Sequence, residues 1–538
     1  MRTLVFFACF LPLIILAQTP KLVVGVVVDQ MCYDYLYRFQ HHFSTDGFRR
    51  FLDRGVNCRN TNYNYVPTYT GPGHASIYTG TTPYNHGIVG NDWYNRSTQQ
   101  SVYCVFDSTV NPVGNPSSKY GQVSPHNLET MTITDQLKIT YPSSKVYSIS
   151  IKDRSAALPG GHMSDGSYWF DYTSGTFITS SYYMEALPEW VQSFNQTHSA
   201  DQYIKDWELL KPISEYSRSV DNSPYEVTIK GSKSPTFPYK FSEYAKGDYN
   251  LFTLMPFANT QLTDFACELI GSEQIGKHET TDMLCLSFST PDIAGHAFGP
   301  YSLEIEDIYA RLDLELARLF RTLDQQLGKH NYVMFLTADH AVVPVPQQLI
   351  DEKLPGGYFD MSHAKNTVEE TLLALYGHNL MLSEENQNIY LNTPLIDSLK
   401  LTRSEIQQQV ASILRTFPEV KVAVTGSDLE RGIIDDAWMQ MILNGYSKER
   451  SGDVIFMLKP GYLPVGSRKK SEHKGTSHGS AFNYDTHVPL LWYGMRMKPQ
   501  EIYRPIAITD IAATLVHLLN LQRMGSMTGS PIVEILGQ

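Results

Sequence analysis

Four short apolar runs, rich in β-branched residues, each lead into a chemically active side chain. That recurrence restricts the possible folds more than any other feature. Residues 21–28 read Lys-Leu-Val-Val-Gly-Val-Val-Val, and Asp29 follows at once. Such a run has the pattern of a strand buried on both faces, as in a parallel sheet covered by helices. Residues 145–151 end in Lys152-Asp153-Arg154. Residues 283–288 lead into Asp292 and His296, and residues 331–336 into Thr337-Ala338-Asp339-His340. Ligands of open α/β sheets bind at the carboxyl edge of the strands. The expected fold is therefore α/β, with a central, mostly parallel sheet flanked by helices.

The segments between the runs fit this scheme. Helices are predicted over 48–52 (ending near Gly55), 128–139, 262–270 and 508–519. The longest covers 303–327, with Ile308, Leu312, Leu316, Leu319 and Leu323 at helical spacing. A last apolar strand is predicted at 488–492. Residues 85–94 and the Gly/Ser-rich run 475–480, which contains His478, read as loops. Residues 155–250 are aromatic and rich in Ser and Thr, with little helix signal. They are expected to form an inserted cap outside the sheet. A second insertion of alternating helices and short strands is expected at 365–470.

Composition narrows the class. A formal charge of −12 offers no basic face for nucleic acid or an anionic membrane, and 42% apolar residues suffice for a large core. Arg2, an apolar stretch over 4–16 and Ala17 read as an export signal at 1–17, leaving 18–538 as one domain with insertions. No other window is long and apolar enough to span a bilayer. Cleavage would leave Cys32, Cys58, Cys104, Cys267 and Cys285. This odd number requires at least one unpaired thiol within the chain, and Cys285, inside an apolar run, is expected to be a buried thiol.

Tyr69-Thr70-Gly71-Pro72-Gly73-His74 combines a hydroxyl with a tight turn before a helical pattern. A helix start offers free N–H groups and a positive dipole end, suited to an anion or an alkoxide. Taken alone, Thr70 reads more readily as a helix cap or turn residue. The Asp and His residues at the strand ends change its meaning, because together they are ligands that zinc accepts. Asp292 and His296, separated by three residues, can reach one ion from one loop. The adjacent Asp339 and His340 are expected to point apart and so serve neighbouring ions.

The ordered set Asp, Thr-Gly, Lys-x-Arg, Asp-x-x-x-His, Asp-His and His-Gly, spread over about residues 21–495, resembles the alkaline phosphatase superfamily. It is most similar to the phosphate-irrepressible bacterial branch. The resemblance implies two Zn²⁺ per chain. Asp292, His296 and His478 would hold one, and Asp29, Asp339 and His340 the other, with Thr70 ligated to the second as nucleophile. It implies that Asn91, Lys152 and Arg154 bind the phosphate. It also implies a periplasmic or secreted monomer acting on small phosphate esters through a phosphothreonine. The extra acidic ligands of a magnesium site are not found, and His473 is set aside in favour of His478.

Three alternatives remain. A phosphodiesterase or nucleotide pyrophosphatase of the same superfamily would keep the ligands and the threonine. The Lys152/Arg154 pair favours a monoester, which presents more anionic oxygen. A sulfatase would need a Cys/Ser-x-Pro-x-Arg motif that Thr70-Gly71-Pro72-Gly73-His74 lacks. A binding protein with structural zinc would be expected to use four protein ligands, mostly Cys.

Overall fold

The computed structural model describes residues 19–218, 220–466, 473–495 and 497–536. The export signal expected at 1–17 lies outside them. Ten strands form the central sheet, in the spatial order Gln500–Ile502, Val56–Cys58, Leu490–Gly494, Tyr332–Thr337, Leu22–Val28, Asp282–Phe288, Val146–Ser150, Gly166–Asp171, Thr176–Ser180 and Pro112–Val113. The five from Tyr332–Thr337 to Gly166–Asp171 run parallel. Leu22–Val28 is buried along its whole length, as its unbroken apolar sequence requires. Pairing Val28 with Phe288, Val27 with Thr337 and Ser287 with Ser150 brings four strand ends to one edge.

Several expectations change. Residues 155–250 do not lie wholly outside the sheet, because Gly166–Asp171 and Thr176–Ser180 are two of its strands. Their aromatic content serves burial: Tyr168, Trp169, Phe170 and Phe177 are fully buried, and Phe177 stacks on Phe265 of the helix Phe257–Ser272. The irregular excursion begins only after these strands. The helix expected from 128 starts at Ile133, where Thr132 and Asp135 form a capping box that sets the boundary. The loop expected at 85–94 includes the end of the short helix Pro83–His86 and most of the strand Asp92–Asn95. Asp292 and His296 sit on the helix Thr290–Phe298 rather than on a loop.

Residues 381–458 build a separate four-stranded antiparallel sheet, with strands Met381–Glu385, Asn388–Leu391, Val454–Leu458 and Val420–Thr425 in that spatial order. The helices Met361–Tyr376 and Arg403–Leu414 contribute to its own apolar core, which includes Val368, Leu372, Val410 and Phe456. Among the described residues the five cysteines are all free thiols, and no helix is long and apolar enough to cross a membrane.

The helix Thr70–Thr79 is buried at every position and packs onto the strand ends. Two glycines permit this. A Cβ on Gly25 would meet the Phe335 ring and the Tyr78 hydroxyl at 2.5 Å, and a Cβ on Gly73 would meet the Asp339 carbonyl oxygen at 2.3 Å. The second contact is with backbone, which cannot swing aside. Gly73→Ala is therefore expected to lower stability by about 1–3 kcal/mol, the usual cost of overpacking. Denaturant unfolding measures this, and an unchanged midpoint would show that the helix is not wedged against Asp339.

Candidate active site

Each apolar strand delivers its polar residue to the shared edge. Asp29 follows Leu22–Val28, Asp339 and His340 follow Tyr332–Thr337, and Lys152 follows Val146–Ser150. Asp292 and His296 lie one turn apart on the helix beyond Asp282–Phe288. His478 comes from the 475–480 loop. Thr70 is the first residue of its helix, so Tyr69 occupies the cap position and the cap reading of Thr70 does not apply.

These residues converge. His340 Nε2 lies 3.4 Å from Thr70 Oγ1 and 3.5 Å from both Asp29 Oδ1 and Asp339 Oδ2. The expectation that Asp339 and His340 point apart is therefore wrong: the chain turns sharply after the strand and aims both at Asp29. His296 Nε2 is 3.2 Å and His478 Nε2 3.6 Å from Asp292 Oδ1. The His340 and His478 rings stack with centroids 3.4 Å apart, which joins the two groups. Lys152 Nζ lies between them, 2.6 Å from Asp29 Oδ2 and in contact with Asp292. Asn91 Oδ1 accepts the Gly71 N–H at 2.8 Å, leaving the Asn91 amide nitrogen available beside Thr70.

The donor set fits a metal. All three imidazoles present Nδ1 to a backbone carbonyl: His296 to Thr476 at 2.9 Å, His340 to Ala341 at 3.0 Å and His478 to Thr68 at 2.8 Å. A carbonyl only accepts, so Nδ1 carries a proton, and in the neutral form of the ring Nε2 turns a lone pair toward the carboxylates. Asp29 Oδ1 and Asp339 Oδ2 are buried and receive no hydrogen bond. Electron-rich atoms facing one another in a buried site favour a cation, or failing that a proton, between them.

The electrostatics agree. Burial, with Asp339 alongside, pushes the Asp29 carboxyl up to about 8. Burial also raises Asp339. Burial lowers His340 to about 4 and, with His340 beside it, holds His478 well below the usual imidazole range. Burial works against the charges on Asp292 and His296, yet each favours the other: His296 and Lys152 hold Asp292 well below the usual carboxyl range, and Asp292 raises His296. Burial likewise disfavours the Lys152 ammonium, but Asp29 and Asp292 outweigh it and raise Lys152.

Several supporting residues carry no motif and were missed in the sequence. Gln30, in the left-handed region at φ 67°, donates its side-chain amide to Asp292 at 2.6 Å and its backbone N–H to Asp339 at 3.2 Å. Such a conformation in a residue other than glycine marks a constrained position, and its place next to Asp29 was the available signal. Asp485 accepts the Ser480 N–H at 2.7 Å through its side chain, and its backbone carbonyl accepts the Ala341 N–H at 2.8 Å. It thus ties the His478 loop to the His340 turn. Arg154 donates to the Tyr103 hydroxyl at 3.1 Å, and that hydroxyl donates to Asp153. A cavity of about 530 Å³, lined by Tyr103, Phe106, Tyr120, Phe170 and Tyr172, opens beside Lys152 and Arg154. His74 and His86 bond within the core, to Thr70 and Ser287 and to Ser76 and Ile88. His473 stacks on Tyr358.

Comparison with known proteins identifies the family and the fold. The family described as "Type I phosphodiesterase / nucleotide pyrophosphatase" matches residues 23–481. Alkaline phosphatase PafA of Elizabethkingia meningoseptica is 40% identical, with 96% of this chain and 95% of that protein covered. A Myroides odoratus protein named calcium-transporting ATPase is also 40% identical, with 98% of each covered, and alkaline phosphatase PhoV of Synechococcus elongatus is 39% identical, with 96% and 93% covered. The solved structure of wild-type PafA superposes with a TM-score of 0.92 over 97% of this chain and 99% of that one, at 39% identity. A second PafA structure, at 38% identity, carries substitutions of a threonine, an asparagine, a lysine and an arginine. In it, threonine to asparagine and lysine to arginine are spaced as Thr70 to Asn91 and Lys152 to Arg154 are here. From the matched family, the full-length relatives and the shared fold, the chain belongs to the type I phosphodiesterase / nucleotide pyrophosphatase family of the alkaline phosphatase superfamily.

Proposed function

We propose that the chain is an exported alkaline phosphatase, hydrolysing phosphate monoesters through Thr70 with two zinc ions. The observation that carries this reading is the geometry around Thr70. A buried hydroxyl at a helix start lies 3.4 Å from His340, where two groups of Asp and His side chains meet and Lys152 bridges Asp29 and Asp292. The names of PafA and PhoV agree with it. The pump half of the Myroides protein's name finds no support in a site built for phosphoryl transfer.

Asp292, His296 and His478 would hold one ion, and Asp29, Asp339 and His340 the other. Bound zinc supplies Lewis-acid stabilisation of negative charge on the attacking and departing oxygens. The chain supplies the rest. Thr70 Oγ1 loses its proton and attacks phosphorus, and the bond to the ester oxygen breaks as the alcohol leaves. Water then takes the phosphoryl group from Thr70, restoring the hydroxyl and releasing inorganic phosphate. The helix start favours the developing charge on Thr70. Asn91, Lys152 and Arg154 bind the non-bridging oxygens. Arg154 is suited to a forked grip, because Tyr103 and Asp153 fix its guanidinium, and Lys152 acts as a point charge.

One observation favours a second reading. The aromatic cavity beside Lys152 and Arg154 has the size and apolar walls to take the second substituent of a diester or nucleotide.

Thr70→Ala is expected to lower aryl-phosphate turnover by about 10³-fold or more while leaving the metal content unchanged. Activity within tenfold of the wild type would remove Thr70 from this role. Replacing Lys152 and Arg154 together with Ala is expected to reduce monoester kcat/KM by about 10²-fold or more and to affect a diester with the same leaving group far less. Equal losses would favour the diesterase reading. Metal analysis should find zinc in both ligand groups, with activity abolished by chelation and restored by zinc alone. Recovery that requires magnesium would contradict the proposed site.

A further inference from the structure

A second set of ligand-type side chains converges away from the catalytic centre. His41 and His42 end a 3-10 turn, Gln40–His42, in the segment that follows Asp29. Glu306 lies in the first turn of the helix Leu303–Leu327. His42 Nε2 is 3.0 Å and His41 Nε2 3.2 Å from the same oxygen, Glu306 Oε1. The carbonyl oxygen of Glu215 adds a fourth donor atom, 3.0 Å from His41 Nε2.

Hydrogen bonding alone accounts for this arrangement poorly. His41 Nε2 carries at most one proton yet faces two acceptors, Glu306 Oε1 and the Glu215 carbonyl. Glu306 Oε1 faces both imidazoles and the Ser217 hydroxyl and shares the Ser217 N–H with Oε2, so three polar side chains crowd one carboxylate oxygen. His42 Nδ1 is buried without a partner, so no second hydrogen bond explains the orientation of the ring. Ligands about 2.0–2.1 Å from a tetrahedral ion lie about 3.3 Å from one another, close to the separations found here. His42 and Glu306 are buried, while the His41 side chain is 42% exposed and leaves the cluster open to solvent on one side.

We propose that His41, His42 and Glu306 form a further metal site for a divalent ion of the zinc class. Two imidazoles and one carboxylate select against calcium and magnesium, which favour oxygen-only sets. The site would join three parts of the chain: the segment that leaves Asp29, the irregular stretch around Glu215 and Ser217, and the start of the long helix. Its role is to clamp that stretch onto the core, and it takes no part in the chemistry at Thr70.

Anomalous diffraction at the zinc edge on wild-type holoenzyme tests this without any variant. A peak about 2.0–2.2 Å from His41 Nε2, His42 Nε2 and Glu306 Oε1 is expected, in addition to those of the catalytic centre. No density at the triad, alongside density at the catalytic centre, would overturn it. The His41→Ala/His42→Ala variant should bind one zinc fewer per chain than the wild type, with monoester kcat/KM retained and a lower Tm. Equal zinc content would overturn the site. If the double variant does not fold, His41→Gln, at the exposed position, should still weaken binding of that one equivalent, and unchanged zinc retention on dialysis would count against it.

Discussion

Everything at the working edge of this molecule follows from three carboxylates and three imidazole lone pairs brought together out of water. Asp29, Asp292 and Asp339 are buried, and His296, His340 and His478 turn Nε2 toward them because their Nδ1 atoms are committed to backbone carbonyls. Buried anions and lone pairs repel one another unless positive charge lies between them. Lys152 supplies one such charge to Asp29 and Asp292. Asp29 Oδ1 and Asp339 Oδ2 remain without a donor. In the proposed reaction, that uncompensated charge is what makes the site a strong divalent-metal site.

Holding such a cluster together requires rigid support. The parallel register of the central strands brings the ligand-bearing ends to one edge. The helix that starts with Thr70 approaches Asp339 closely because Gly73 has no side chain. Gln30 couples Asp292 to Asp339, and Asp485 couples the His478 loop to the turn after His340. Each link fixes a ligand through a hydrogen bond one step removed, which is how outer contacts set ligand orientation in metal sites.

Nine of the ten candidate residues were legible because each stands at a chemically readable place. Asp29, Lys152 and Asp339 follow continuous apolar runs, Asp292 and His296 have ligand spacing, and Thr70 stands at a Gly-Pro-Gly turn. Asn91 had no such local signal and rested on the resemblance alone. Residues 166–180 were misassigned because aromatic residues alternating with Ser and Thr read as a decorating hairpin, whereas packing against the Phe257–Ser272 helix makes them strands of the central sheet. Gln30, Asp485, Tyr103 and Asp153 were invisible, since their partners lie tens to hundreds of residues away.

Sequence alone determined the α/β class, four of the five strands of the parallel core and the identity of the ligand-type residues, because strand burial and side-chain chemistry are local properties of the chain. Tertiary structure decided which of those residues face one another, that Asp339 and His340 converge rather than diverge, and that Lys152 reaches two carboxylates. It also brought His41, His42 and Glu306 to one point. These are contacts between segments distant in the chain, set by sheet register and helix packing, which no local pattern encodes.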